Sequence, residues 1–181
     1  MSPLKRWTIR ATSYPTLLAN RLLCALGVWR RWNWIDDHVA LGGLPTRRDV
    51  RRLLDAGVRA VVNLCDEFNG HEREFRRAGA AYLRLPTPDY HSPSVADLAR
   101  GVEFIRERVA RGEKVLIHCK AGRKRSVVLA ICYLAASRGA SAAQAAEAIR
   151  RARPHVDRAL DRLANVQQFV SRHVSAAPRS E

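Results

Sequence analysis

Acidic residues, lysine and methionine are all scarce in this 181-residue chain. Seventeen Asp and Glu stand against 32 Lys and Arg, only 4 of those 32 are lysine, and there is 1 methionine. The resulting formal net charge of +15 implies attraction to polyanions such as phospholipid, nucleic acid or phosphorylated substrates. The sign does not choose among them, and an Arg- and Ala-rich bias also arises from genome base composition. Cysteine is sparse too: 4 residues without paired short spacing exclude a disulfide-stapled scaffold, point to a reducing compartment and form no zinc motif. There is no internal repeat and no low-complexity tract. With 47% hydrophobic and 27% charged residues the chain is an ordinary globular one, of a length for one well-packed domain.

The first 35 residues contain no acid, carry Lys5, Arg6, Arg10, Arg21, Arg30 and Arg31, and hold all 4 tryptophans, Trp7, Trp29, Trp32 and Trp34. Their longest apolar run, Leu22 to Trp29, is far short of the roughly 20 residues that a membrane-crossing helix needs. The Leu17, Leu18, Leu22, Leu26 and Trp29 spacing fits an amphipathic helix in an anionic membrane interface, where indole rings favour the headgroup level. An acid-poor, Arg-containing start also fits a targeting segment, and a helix packed on the domain's own core fits the same pattern. Residues 1–31 are therefore set apart as a basic, Trp- and Leu-rich amphipathic or targeting segment, with 32–174 as the main domain and 175–181 as a flexible tail.

From Val39 onward, Val39 to Leu41, Val58 to Leu64, Ala81 to Leu85 and Lys114 to His118 read as strands bounded by Gly or Pro. Thr46 to Ala56, His71 to Ala78 and Ser94 to Arg111 read as the helices between them. Arg125 to Ser137, Ser141 to Arg151 and Asp157 to His173 follow as three successive helices. Ser94 with Asp97 and Ser141 with Gln144 resemble capping boxes. Alternating strands and helices predict an α/β fold with a central, mostly parallel sheet flanked by helices.

The chemistry concentrates in Val115-Leu-Ile-His-Cys-Lys-Ala-Gly-Arg-Lys-Arg-Ser126, where a buried-type strand runs into a Gly-containing loop and then a helix. Cysteine followed six positions later by arginine also occurs at Cys24/Arg30 and Cys132/Arg138. Only Cys119, however, sits at the carboxyl end of a strand and ahead of a helix amino terminus, where ligands gather in open α/β sheets. A loop wrapping from Cys119 to Arg125 aims backbone N–H groups at one point, and the helix dipole adds positive charge there. The same field favours a thiolate on Cys119. Gly122 permits a backbone conformation that a Cβ would hinder. Arg125 offers a planar fork to two phosphoryl oxygens. His118 and Ser126 are either hydrogen-bonding assistants or, for His118, a structural ring.

A leaving oxygen needs a proton, which points to a carboxylic acid on a loop near the cradle. Asp89, in the Pro-rich stretch Pro86-Thr-Pro-Asp-Tyr-His-Ser-Pro93, is the candidate, against the alternative of an Asp capping a turn. Lys120, Arg123 and Lys124 add cations beyond Arg125 and suggest a substrate more negative than a lone phosphotyrosine, unless they point into solvent. The expected reaction passes through a phosphocysteine and requires no metal or other cofactor. Cys65 and Cys132 are taken as core residues, with a second reading as partners of an oxidised Cys119.

His118-Cys-Lys-Ala-Gly-Arg-Lys-Arg-Ser126 resembles the H-C-x-x-G-x-x-R-S loop of the dual-specificity protein tyrosine phosphatases. Within that family the chain is most similar to the mitochondrial phosphatidylglycerophosphate phosphatase branch, through Trp32-Asn-Trp-Ile-Asp36, Leu41-Gly-Gly-Leu-Pro45, Val61-Val-Asn-Leu-Cys-Asp-Glu-Phe68, Leu85 to Asp89 and Gly101-Val-Glu-Phe-Ile105. The resemblance covers about residues 32–174. It implies the cysteine-dependent phosphatase fold, Cys119 as nucleophile, Arg125 as phosphate ligand and Asp89 as general acid. His118, Lys120, Ala121, Gly122, Arg123, Lys124 and Ser126 complete the expected substrate-binding loop. Asn69 stands where the branch's acidic-aromatic motif would carry a further acid.

The expected function is a phosphomonoesterase acting on an anionic phospholipid such as phosphatidylglycerophosphate. Alternatives are a phosphatase for phosphotyrosine, phosphoserine or phosphothreonine in proteins, and a catalytically idle phosphate-binding module. No recognition helix or stacking-aromatic motif supports a nucleic-acid partner. The expected assembly is a monomer, peripheral to a membrane in a reducing intracellular compartment, cytoplasmic or, in a eukaryote, mitochondrial.

Overall fold

The computed structural model describes residues 18, 22–24 and 26–174. The expected tail, 175–181, and most of the amino-terminal segment lie outside the described residues. In chain order the elements are β1 (Trp32–Trp34), β2 (Val39–Gly42), α1 (Arg47–Asp55), β3 (Val58–Cys65), α2 (Glu72–Arg77), β4 (Ala81–Thr87), α3 (Val95–Ala110), β5 (Lys114–His118), α4 (Arg125–Arg138), α5 (Ala142–Ala152), a 3₁₀ turn (Leu160–Arg162) and α6 (Ala164–His173).

The five strands form one sheet in the order β1-β2-β5-β3-β4. β2, β5, β3 and β4 run parallel, and β1 is antiparallel to β2. The alternation of a pleated strand divides the apolar residues between two faces. Val39, Leu41, Val62, Leu64, Val115 and Ile117 pack under α3, α4, α5 and α6, whereas Ala40, Val61 and Leu116 pack against Val50 and Leu53 of α1 and Phe75 of α2. Val58 and Ala60 would share a face by strict alternation. A register shift between them places Val58 with the second cluster and Ala60 with the first.

Every residue of α4 from Arg125 to Ala135 is buried, because sheet, α3, α5 and α6 surround it. An all-round apolar sequence such as Val-Val-Leu-Ala-Ile-Cys-Tyr-Leu-Ala-Ala suits that central position. The outer helices are capped from solvent: Ser141 and Gln144 form the expected reciprocal box, and Ser94 accepts the Asp97 N–H. Thr46 and Asp49 form a second box, not anticipated from the sequence. Among the described residues no single helix is long and apolar enough to cross a membrane.

Three expectations change. β1 was not foreseen, being only three residues long and recognisable chiefly by its pairing with β2. The helix expected over Asp157 to His173 is a 3₁₀ turn followed by α6, because Ala159 is left-handed at φ 58° and Leu163 is extended at ψ 137°. Trp29 does not continue the leucine face: Gly27 turns at φ 74°, and the indole stacks on His155 at 4.4 Å. Leu18, Leu22 and Leu26 remain exposed.

Candidate active site

The sheet order places β5 between β2 and β3, with Gly42, Asn63 and His118 level across the three strands. The chain leaving β5 therefore enters a crevice at the strands' carboxyl ends and must turn into α4 within six residues, Cys119 to Lys124. Gly122 makes that turn at φ 67°, and a Cβ there would lie 2.4 Å from the Gly42 carbonyl carbon. Only glycine meets both demands. α4 begins without a side-chain cap or an acid in its first turn, so its amino-terminal N–H groups and positive dipole end face the loop.

The Cys119 sulfur sits inside this loop. It accepts hydrogen bonds from the Gly122 backbone N–H and the Ser126 hydroxyl, each at 3.3 Å. Burial by itself would raise the thiol, but the Arg125 charge and the bonds from Ser126 and Gly122 outweigh it and hold Cys119 below the ordinary cysteine range. The thiolate is stabilised relative to that of an ordinary cysteine.

Arg125 points back under the loop. Its guanidinium takes Glu67 in a two-pronged pair at 2.8 and 2.7 Å, donates to the Thr87 carbonyl at 2.8 Å, and reaches Asp89 at 3.2 Å. Glu67 and Arg125 are both buried, so each needs the other. Asp89 also pairs with the buried ammonium of Lys120. Burial pushes the Asp89 carboxyl up, but the Lys120 hydrogen bond and the Arg125 and Lys120 charges win and hold it below the usual carboxylate range. Tyr90 is left-handed at φ 65°, which turns its ring out over the Lys120 ammonium. Lys124 donates to the Tyr90 carbonyl at 3.1 Å.

These groups line a hollow of about 200 Å³ bounded by Asp89, Tyr90, Cys119, Lys120, Ala121, Arg123, Lys124, Arg125 and Asp157. The expected site residues thus fall into two sets. Cys119, Arg125, Asp89, Lys120, Ala121, Arg123 and Lys124 face the hollow, whereas His118, Gly122 and Ser126 are not among its lining residues. Ser126 and Gly122 act on the sulfur. The His118 ring is fully buried, near the Tyr82 hydroxyl at 3.4 Å and the Cys119 carbonyl at 3.4 Å, and burial pushes it down to about 4. It is a neutral structural ring. Lys120 is engaged with Asp89, and Arg123 with Asp157 at 3.0 Å and with the Trp29 face at 5.8 Å. Neither is a loose cation in solvent.

With that geometry, a hollow beside a sulfur that accepts from Gly122 and Ser126 and lies near the Arg125 charge, goes a match of residues 41–171 to a known family model, that of the dual specificity phosphatase catalytic domain. The chain belongs to the dual-specificity phosphatase family. It is accordingly a hydrolase of phosphoric monoesters. Among similar curated proteins are the Arabidopsis thaliana phosphatidylglycerophosphate phosphatase PTPMT2, 35% identical over 81% of this chain and 66% of the relative, and the rat phosphatidylglycerophosphatase and protein-tyrosine phosphatase 1, 35% identical over 88% of both. The chain thus spans about two thirds of the plant relative's length. A crystal structure of PTPMT1 in complex with PI(5)P aligns with TM-score 0.74 and 34% identity over 81% of this phosphatase and 97% of that chain.

Two residues that support this phosphatase's site escaped the sequence reading: Glu67, paired with Arg125, and Arg153, which donates to the Gly122 and Ala121 carbonyls of the loop. Glu67 was noted only as part of a motif; its position at the end of β3, beside β5 in an acid-poor chain, was the available signal. Arg153 gave none, being one arginine among 28.

Proposed function

We propose that this dual-specificity phosphatase hydrolyses an anionic phospholipid monoester, phosphatidylglycerophosphate being the reference substrate, through residues 32–174 as the catalytic domain. The observation that carries the reading is the Cys119 sulfur, which accepts hydrogen bonds from Gly122 and Ser126 and whose pKa these bonds and the Arg125 charge lower. Cys119 attacks phosphorus, the S–P bond forms as the ester P–O bond breaks, and Asp89 passes its proton to the departing alkoxide. Water then attacks phosphorus, Asp89 takes a proton from it, and the S–P bond breaks to release phosphate and the thiolate. Arg125, with Lys120 and the loop N–H groups, neutralises charge on the equatorial oxygens throughout.

Asp89 is ionised in the arrangement seen, and it must be protonated to act as the acid. A phosphoryl dianion that takes up the charges of Arg125 and Lys120 removes the two influences holding the Asp89 proton off. Substrate arrival thereby arms the acid.

The lipid reading draws on the names of the relatives and on the chain's own surface. Leu18, Leu22, Leu26 and Val28 are 70, 57, 67 and 62% exposed, in an amino-terminal stretch that carries only positive charge. That combination fits docking on an anionic membrane in a reducing compartment, with a mitochondrial membrane the choice in a eukaryotic cell. The rat relative's name favours a second reading, phosphotyrosine in proteins. Turnover of phosphatidylglycerophosphate in vesicles against a phosphotyrosyl peptide decides: faster lipid turnover, and loss of vesicle binding in Leu22→Glu/Leu26→Glu, are expected. Faster peptide turnover would replace the lipid assignment with the protein one.

A further inference from the structure

Behind the phosphate loop, on the side away from the hollow, lies the largest fully buried side chain of the described residues, Arg153, at 1% exposure. It follows α5 and reaches four oxygens: the Gly122 carbonyl at 2.9 Å, Asn33 Oδ1 at 2.7 Å, the Arg30 carbonyl at 3.1 Å and, more weakly, the Ala121 carbonyl at 3.5 Å. Among the described residues none of its partners is a carboxylate. A buried arginine without an acid is costly, and burial pulls this one down to about 10, so that it still carries its charge at neutral pH.

Its partners explain what the charge does. The Ala121–Gly122 peptide gives its carbonyl to Arg153 and its N–H to the Cys119 sulfur, 3.5 Å and 3.3 Å away respectively. Among the described residues no peptide bond is cis, so the C=O and N–H of each unit point in opposite directions. The next unit presents the Gly122 carbonyl to Arg153 in the same way, which directs the Arg123 N–H to the opposite side. A cation at the carbonyl ends polarises both units and makes their N–H ends more positive. The Cys119 thiolate, for its part, favours the charged form of Arg153.

We propose that Arg153 is a positioning residue of the phosphate loop, whose acid-free buried charge holds two loop carbonyls away from the site and strengthens their N–H groups as donors to the thiolate and the phosphoryl oxygens. The inference rests on the reading of Cys119 as the nucleophile, and adds to it a group that never touches substrate. Through the Arg30 carbonyl and Asn33 it also ties β1 and the chain before it to the loop.

The test reads the charge separately from the packing. The pH midpoint of Cys119 alkylation by iodoacetamide, followed by mass spectrometry, is compared among wild type, Arg153→Lys and Arg153→Gln, with inhibition by inorganic phosphate measured alongside. Arg153→Gln should raise the midpoint by about half a pH unit or more and weaken phosphate inhibition about threefold or more. Arg153→Lys, which restores charge but not the fork, should recover most of both. A purely structural residue would leave the midpoint unmoved in both variants, or move it equally, and either result overturns the proposal. If neither variant folds, Asn33→Asp serves: a carboxylate beside Nη1 would neutralise the guanidinium and raise the midpoint, and an unmoved midpoint in that folded protein refutes the inference. A wild-type midpoint near that of an ordinary thiol would instead sink the nucleophile reading itself.

Discussion

Cys65 ends β3 and Cys119 follows β5, and these two strands are neighbours in the sheet. Both sulfurs are buried, and burial pushes both thiols up. At Cys65 that push prevails, since among the described residues no N–H or hydroxyl donates to its sulfur; the Arg125 charge lowers it but does not compensate. At Cys119 the push is overturned, by the same Arg125 together with the donors from Gly122 and Ser126. Proximity to the arginine is common to the two sites. The difference lies in the turn after β5, which points hydrogens at a sulfur, whereas β3 runs on to Asp66, whose N–H serves the Thr87 carbonyl.

The largest effect that could break this contrast is on turnover. Cys119→Ser replaces a thiolate with a hydroxyl that stays protonated at neutral pH, and phosphate release should fall at least about 10³-fold. Cys65→Ser should keep kcat/KM within about threefold while costing about 1–2 kcal/mol of stability for a hydroxyl in an apolar end of the core. Comparable losses in both variants, read in one phosphatase assay with melting curves alongside, would mean that the donors around Cys119 do not set it apart.

Next come the two carboxylates that share Arg125. Asp89→Asn cannot deliver a proton, so kcat on an alkyl phosphate should drop about 10²-fold or more. The drop should be smaller on an aryl phosphate, whose leaving group needs less help. Glu67→Gln leaves the Arg125 guanidinium buried with a weakened partner. The fork loses its fixed orientation and kcat/KM should fall about tenfold to 100-fold, with about 3 kcal/mol of stability, the scale for breaking a buried pair. If Asp89→Asn slows both substrates equally, Asp89 serves to position Lys120 and Arg125 and not to donate a proton.

How much of this was legible in the sequence follows the range of the forces involved. Strand periodicity and helix caps are local, and β2 to β5, the box at Ser141 and the N-cap at Ser94 were found by them, although Asp97 takes the Ser94 hydroxyl and not the backbone N–H that would complete a box. The Cys119 to Arg125 loop was legible because its chemistry is written in consecutive residues. Pairings across the chain were not: Arg125 with Glu67 joins residues 58 apart, Arg153 with Asn33 residues 120 apart, and no spacing rule links either. Lys120 shows the same limit. Its type suggested a hand held out to substrate, and only the fold, by bringing the Asp89 loop over β5, gives the ammonium an acid to hold.

The smallest effect sharpens the comparison from the other side of the loop. His118, next to Cys119 in the chain, follows the rule of Cys65: burial favours its neutral form and pushes it down to about 4. The unfolded chain takes a proton on this ring below about pH 6.5, while the folded protein refuses it until about pH 4. The unfolded state therefore binds more protons in that window, and the folded state loses stability as pH falls through it, by about 2 kcal/mol at pH 5. His118→Gln, which has no such proton to refuse, should melt lower at pH 7 for lost packing yet lose less between pH 7 and pH 5 than wild type. His155, also pushed down to about 4 but less deeply buried, should give a smaller change in slope when replaced. Parallel melting-temperature slopes for wild type and His118→Gln would show that the ring takes its proton in the fold. The line between buried-and-neutral and buried-and-ionised would then not fall between residues 118 and 119.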